Sequence, residues 1–112
     1  MRLADPALSG SRMYDVWPEE RAVAWARAAP RQSVLSFASP VTYTAFKDIP
    51  SSYIFCEQDQ IVPPALQEQY IENIKIVSGR PVDLHKLDSN HVPNLTSPET
   101  LAELILKIVA AS

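Results

Sequence analysis

Apolar side chains recur in two rhythms along this chain. In PALQEQYIENIKIV (64–77), Leu66, Tyr70, Ile74 and Val77 fall at steps of three and four, while Gln67, Glu68, Glu72 and Lys75 lie mostly elsewhere. That spacing predicts an amphipathic helix whose buried face carries those apolar residues. SSYIFCE before it and VDLHKL after it are short runs rich in apolar, aromatic and β-branched residues, as buried strands are. Gly79 in SGRP is placed to cap the helix C-terminus. Strand, helix and strand make a βαβ unit, in which the two strands run parallel. TSPETLAELILKIVAAS then supplies Ser97 as N-cap, Pro98 at the first helical position and a stripe of Leu101, Leu104, Ile105 and Ile108. A final helix packed on the sheet is expected.

Upstream, prolines set the boundaries: the chain has 10 of them against 2 glycines. In DVWPEERAVAWARAAP, Pro18 occupies a first-turn position, Glu19 and Glu20 complement the positive helix end, and Pro30 stops the helix. RQSVLSFASPVTYTAF, broken by Pro40, reads as a helical turn followed by an irregular segment. Residues 1–16 show no sustained period and are expected to form a loose arm. The expected organisation is therefore an arm (1–16), a helical segment (17–48) and a βαβα unit (49–112).

Composition narrows the class. A chain of 112 residues, 46% hydrophobic and 21% charged, suits one small globular domain, and the βαβ pattern makes its class α/β. A net charge of −3 with scattered Lys and Arg argues against a nucleic-acid partner. Cys56 is the single cysteine, so no intramolecular disulfide forms, and with only His85 and His91 beside it no zinc site is expected. Neither a metal nor a cofactor is anticipated. The opening MRLADPALSGSRMYDVW lacks a signal-peptide apolar core, and no run approaches the roughly 20 apolar residues of a membrane span. A cytoplasmic protein without membrane contact is the expectation.

The candidate chemistry lies where the strands end. Loops leaving the C-terminal ends of parallel strands emerge at one sheet edge, where open α/β sheets bind ligands. The first carries Glu57, Gln58 and Asp59; the second carries Asp88, Ser89, Asn90 and His91. Neighbouring strands lie about 4.8 Å apart, so a carboxylate of the first loop can reach an imidazole in the second. A carboxylate bonded to one ring nitrogen fixes the tautomer and frees the other as a base. Glu57, Asp59 and Asp88 can each be that carboxylate. Ser89 is too close to His91 along the chain to be its nucleophile and reads as a turn residue. His85 is expected to be packed or at a strand edge, Cys56 to be a buried inert thiol, and Trp17 and Trp25 to pack or to line a pocket.

IPSSYIFCEQDQIVPPALQEQYI followed by LDSNHVPNLTSPETLAELI resembles the C-terminal part of α/β-hydrolases, especially the cofactor-free branch containing methylesterases, hydroxynitrile lyases and microbial esterase-like relatives. PEERAVAWARAAPRQSVLSFASPVTY resembles the end of that branch's cap region, and the likeness runs roughly from Trp17 to Val109. It implies a partial α/β-hydrolase fold in which 17–48 is cap-like. It also makes Asp59 the triad acid, in preference to Glu57 and Asp88, and His91 the base.

The family's nucleophile sits in a G-x-S-x-G turn, and an oxyanion loop lies near an HG motif. Gly10 and Gly79 are the only glycines, so neither pattern can be written, and LSGSRM has no apolar strand before it. The resemblance is thus to a hydrolase lacking the N-terminal half with its nucleophile. Two functions are implied. One is a part or derivative of a serine-type hydrolase of small esters, thioesters or lactones, a kind of protein that in fungi and bacteria often serves natural-product pathways. The other is an inactive truncated relative acting as an accessory or interaction module, or without function. A two-stranded parallel sheet has uncovered faces and edges, so either a marginal monomer or cover by a second copy or partner chain is expected.

Overall fold

The computed structural model describes residues 5–112. Chain order is α1 (Pro6–Met13), α2 (Glu19–Ala28), α3 (Leu35–Ala38), a 3-10 turn (Ala45–Lys47), β1 (Ser52–Cys56), α4 (Pro64–Ser78), β2 (Asp83–Leu87), α5 (Pro93–Thr96) and α6 (Pro98–Ala110). This is an α/β architecture: β1 and β2 pair in parallel from Ser52 beside Asp83 to Cys56 beside Leu87. The βαβ unit and the closing helix stand where the apolar pattern put them. Gly79 adopts the left-handed conformation at the end of α4 (φ 66°), and its N–H donates to the Lys75 carbonyl; that conformation favours glycine.

The amino-terminal stretch differs from the loose arm expected for residues 1–16, of which residues 1–4 lie outside the described residues. From Asp5 onward it forms α1, because Asp5 is an N-cap: its Oδ1 accepts from the amides of Ala7 (2.9 Å) and Leu8 (3.1 Å), and Pro6 follows in the first turn. Gly10 explains how α1 docks. A Cβ there would stand 2.9 Å from both the carbonyl carbon and oxygen of Ala22 in α2, so the bare backbone permits the close approach. Tyr14, Ala22 and Ala26 form the core of this hairpin, and Met13, Trp17, Val92 and Leu95 pack against it. Tyr14 stacks on Trp17 at 5.2 Å, Trp25 meets both rings, and the Arg21 guanidinium lies 4.0 Å from the Trp17 ring centre. The tryptophans thus pack on one another.

Two helical faces are rotated from expectation. The buried stripe of α4 is Gln67 and Ile71, with Ile74 and Ser78 half-buried, whereas Tyr70 and Val77 are exposed. In α6, Leu101, Leu104 and Ile108 are half-buried but Ile105 is 44% exposed. Ile76, Leu84, Leu106 and Val109 are also exposed. The radius of gyration, 15.9 Å, exceeds the roughly 13 Å of a compact domain of about this length. Much apolar surface of the βαβα unit therefore lacks a neighbour within these residues.

Gly10→Ala separates helix propensity from packing. Alanine favours a helix interior by about 1 kcal/mol, but here its methyl would meet backbone atoms that cannot rotate away. A net loss of about 1–2 kcal/mol is expected from the overpacking, measured by urea titration of Trp17 and Trp25 fluorescence. A stabilised variant would mean that α1 and α2 do not approach so closely.

Candidate active site

Strand pairing continues past the strands and draws the two loops together. The Glu57 amide donates to the Leu87 carbonyl (3.0 Å) and the Gln58 amide to that of Ser89 (3.0 Å). Asp59 follows at once, and its carboxylate divides its oxygens between two tasks. Oδ1 accepts from the amides of Ile61 (2.8 Å) and Val62 (2.9 Å), closing an Asx turn. Oδ2 faces His91 Nδ1 at 2.9 Å. Pro63 and Pro64 then carry the turn straight into α4, with Pro64 in its first turn. The doubled proline thus fixes the exit of a loop whose acid is already held by its own backbone.

Asp59 is 7% exposed and His91 28%. An ionised carboxylate can only accept, so when Asp59 is ionised the Nδ1 atom facing it is the donor, and a neutral ring then keeps its lone pair on Nε2. Among the described residues, Nε2 has no hydrogen-bond partner. A half-open imidazole oriented by a buried carboxylate can take a proton from a hydroxyl placed at Nε2 and later return it.

The other candidates do not join this pair. Glu57 and Asp88 are exposed, with no side-chain partner among the described residues. His85 lies within β2, where its Nε2 meets Asp83 Oδ2 at 2.7 Å; that hydrogen bond, then one from Ser52, hold the Asp83 carboxyl below the usual carboxylate range. Ser89 is buried in the turn, its hydroxyl unpartnered among the described residues. Cys56 is half-buried, and its thiol is pushed up first by burial and then by the negative charge of Asp59. Thiol and acid are close enough to interact electrostatically, yet the effect disfavours the reactive thiolate.

Two supporting amides, Gln67 and Asn90, carry little signal in the amino-acid pattern. Gln67 is 2% exposed; its Nε2 donates to the carbonyls of Cys56 (2.8 Å) and Val62 (2.9 Å), and its Oε1 accepts from the Cys56 amide (3.0 Å). It ties the end of β1 and the far side of the Asp59 turn to α4, which is why a polar residue holds the inner face. Asn90, 1% exposed, accepts at Oδ1 from the Val92 amide (3.1 Å) and the Thr96 hydroxyl (2.8 Å). The signal for Gln67 was its spacing: Gln67, Ile71, Ile74 and Ser78 form an inner stripe at steps of four, three and four.

The alpha/beta hydrolase family model matches residues 2–104 of the sequence. Over 73 residues, 65% of this chain and 30% of the relative, the sequence is 42% identical to "Probable hydrolase R7" of Phoma sp.. Over 75 residues, 67% of this chain and 28% of the relative, it is 31% identical to "Alpha/beta hydrolase nvfD" of Aspergillus novofumigatus. The matched stretch thus spans under a third of either relative. No helix among the described residues is long and apolar enough to cross a membrane.

Gln67→Leu removes three hydrogen bonds while keeping much of the side-chain volume. A loss of about 2–4 kcal/mol is expected, since part-buried backbone groups at Cys56 and Val62 are left unpaired; denaturant unfolding measures it, and a change under about 0.5 kcal/mol would contradict the clamp. The Cys56 thiol should react with Ellman's reagent at pH 8 more slowly in the folded chain than in urea. Because Asp59 raises the thiol pKa, Asp59→Asn should increase the thiolate fraction and the rate. Equal folded and unfolded rates would contradict the environment described.

Proposed function

The chain belongs to the alpha/beta hydrolase family, and on that premise we propose that Asp59 and His91 are the acid and base of a serine-type hydrolase site for a small ester, thioester or lactone. The observation that carries this reading is the 2.9 Å contact from Asp59 Oδ2 to His91 Nδ1, made by a carboxylate whose other oxygen is fixed by two backbone amides. In the proposed reaction a hydroxyl attacks the substrate carbonyl as its proton passes to Nε2. The resulting imidazolium is stabilised by Asp59 and returns the proton to the departing alkoxide or thiolate. Water then repeats the cycle on the acyl intermediate. A natural-product substrate is part of the proposal, supported by the resemblance to microbial esterase-like proteins.

The nucleophile in this reading comes from polypeptide outside the 112 residues, whose 2 glycines cannot form G-x-S-x-G. Gly10 is packed inside α1, and the Ser11 hydroxyl is turned back onto the Leu8 carbonyl at 2.9 Å. That is a helix, not a strained strand-to-helix elbow. The uncovered apolar faces of the βαβα unit support cover by the same polypeptide or by a second copy of this chain. The missing elbow also favours a second reading, in which the chain is a non-catalytic accessory module.

Activity separates the two. The 112-residue chain alone should not hydrolyse p-nitrophenyl butyrate; turnover lost in His91→Ala would show that it holds its own nucleophile. Joined in frame behind a segment carrying the HG and G-x-S-x-G elements, it should hydrolyse the ester, and Asp59→Asn should lower kcat by about 10⁴. A joined enzyme indifferent to both substitutions would overturn the catalytic reading and favour the accessory one.

A further inference from the structure

Asp15 lies in the connection between α1 and α2, far in sequence from both site loops, yet both of its carboxylate oxygens are committed to them. Oδ1 accepts from Asn90 Nδ2 at 2.9 Å, and Oδ2 accepts from Gln60 Nε2 at 3.0 Å. Gln60 directly follows Asp59, and Asn90 directly precedes His91. One carboxylate of the helical hairpin therefore grips the residue beside each member of the pair.

The grip is directional. Because Asn90 Oδ1 is already held by the Val92 amide and the Thr96 hydroxyl, its amide nitrogen can point only toward Asp15 without breaking those bonds. Backbone pairing joins the two loops as far as the Gln58 amide and the Ser89 carbonyl. Asp15 bridges them beyond that last backbone pair, at Gln60 and Asn90. The hairpin also packs on Val92 and Leu95, just beyond His91, so it touches the base-bearing loop on both sides of the histidine.

We propose that Asp15 is a positioning residue for the Asp59–His91 pair, holding Gln60 and Asn90 so that Oδ2 of the acid stays within hydrogen-bond reach of Nδ1. This rests on the reading of that pair as acid and base. A merely structural Asp15 would contribute to stability and leave the bond between acid and base unchanged. A positioning Asp15 controls how often that bond opens.

The test is the exchange rate of the His91 Nδ1 proton, followed as a downfield proton resonance of the full chain at low temperature and assigned by its loss in His91→Ala. The resonance should be present in the wild type and absent in Asp59→Asn. In Asp15→Ala, with an unchanged far-UV circular dichroism spectrum, exchange should speed up roughly 5- to 30-fold. Asp15→Asn, which keeps one acceptor oxygen, and Gln60→Ala, which removes one of the two bonds, should fall between. Unchanged exchange in folded Asp15→Ala overturns the proposal. If that variant does not fold, Gln60→Ala decides, and wild-type exchange there overturns it. A wild type without the resonance overturns the pair itself, a failure distinct from that of Asp15.

Discussion

A carboxylate near a histidine is useful only if it cannot swing away, and in this chain the carboxylate is fixed first by its own turn. Asp59 spends Oδ1 on the amides of Ile61 and Val62, which fixes the plane of the carboxylate, and so leaves Oδ2 facing His91. Two short backbone bonds thus do what would otherwise need a separate side chain. They also explain the local sequence: a turn closed on its own acid must leave quickly, and Pro63 and Pro64 turn it directly into α4. Gln67, one helical turn later, fastens the other side of the loop back to β1. Removing the fixed carboxylate would leave the parallel strands intact, but they would present a histidine with no preferred tautomer.

The parallel pairing supplies the second constraint. Because β1 and β2 run the same way in register, their loops must leave at the same edge. The ladder runs one pair beyond the strands before the loops acquire their own structure. Asp59 and His91 are 32 residues apart in sequence, yet their contact needs only two strand ends and two short turns. Packing of the helical hairpin against Val92 and Leu95 then closes the far side of the histidine loop.

This division explains what could be read from sequence. Strand β1, helix α4, strand β2 and helix α6 were legible because each is an apolar run of suitable length bounded by Pro, Gly or a polar loop; the strand ends marked the loops that hold Asp59 and His91 but left Glu57 and Asp88 open beside Asp59, and only the resemblance chose among them. Helix α1 carried a readable start, Asp5 before Pro6, but its eight residues are too few to show a sustained period, and the close packing at Gly10 depends on α2, a partner met only in the folded chain. The inner face of α4 was displaced because hydrophobicity alone ranks Tyr70 above Gln67, whereas three hydrogen bonds to the loop reverse that order. Asp15 was not legible, since its partners stand 45 and 75 residues away and only the folded chain joins them.

Membership of the alpha/beta hydrolase family and the geometry of the pair meet at one atom, Nε2 of His91, which is a base only while the ring's other nitrogen holds the proton. The most direct measurement is the protonation of each ring nitrogen, read from the nitrogen-15 shifts of His91 in uniformly labelled protein at a pH where the ring is neutral. A proton resident on Nδ1, with Nε2 showing the shift of a bare nitrogen, is the expected result. A proton on Nε2, or rapid averaging between the two positions, would contradict a histidine oriented by Asp59.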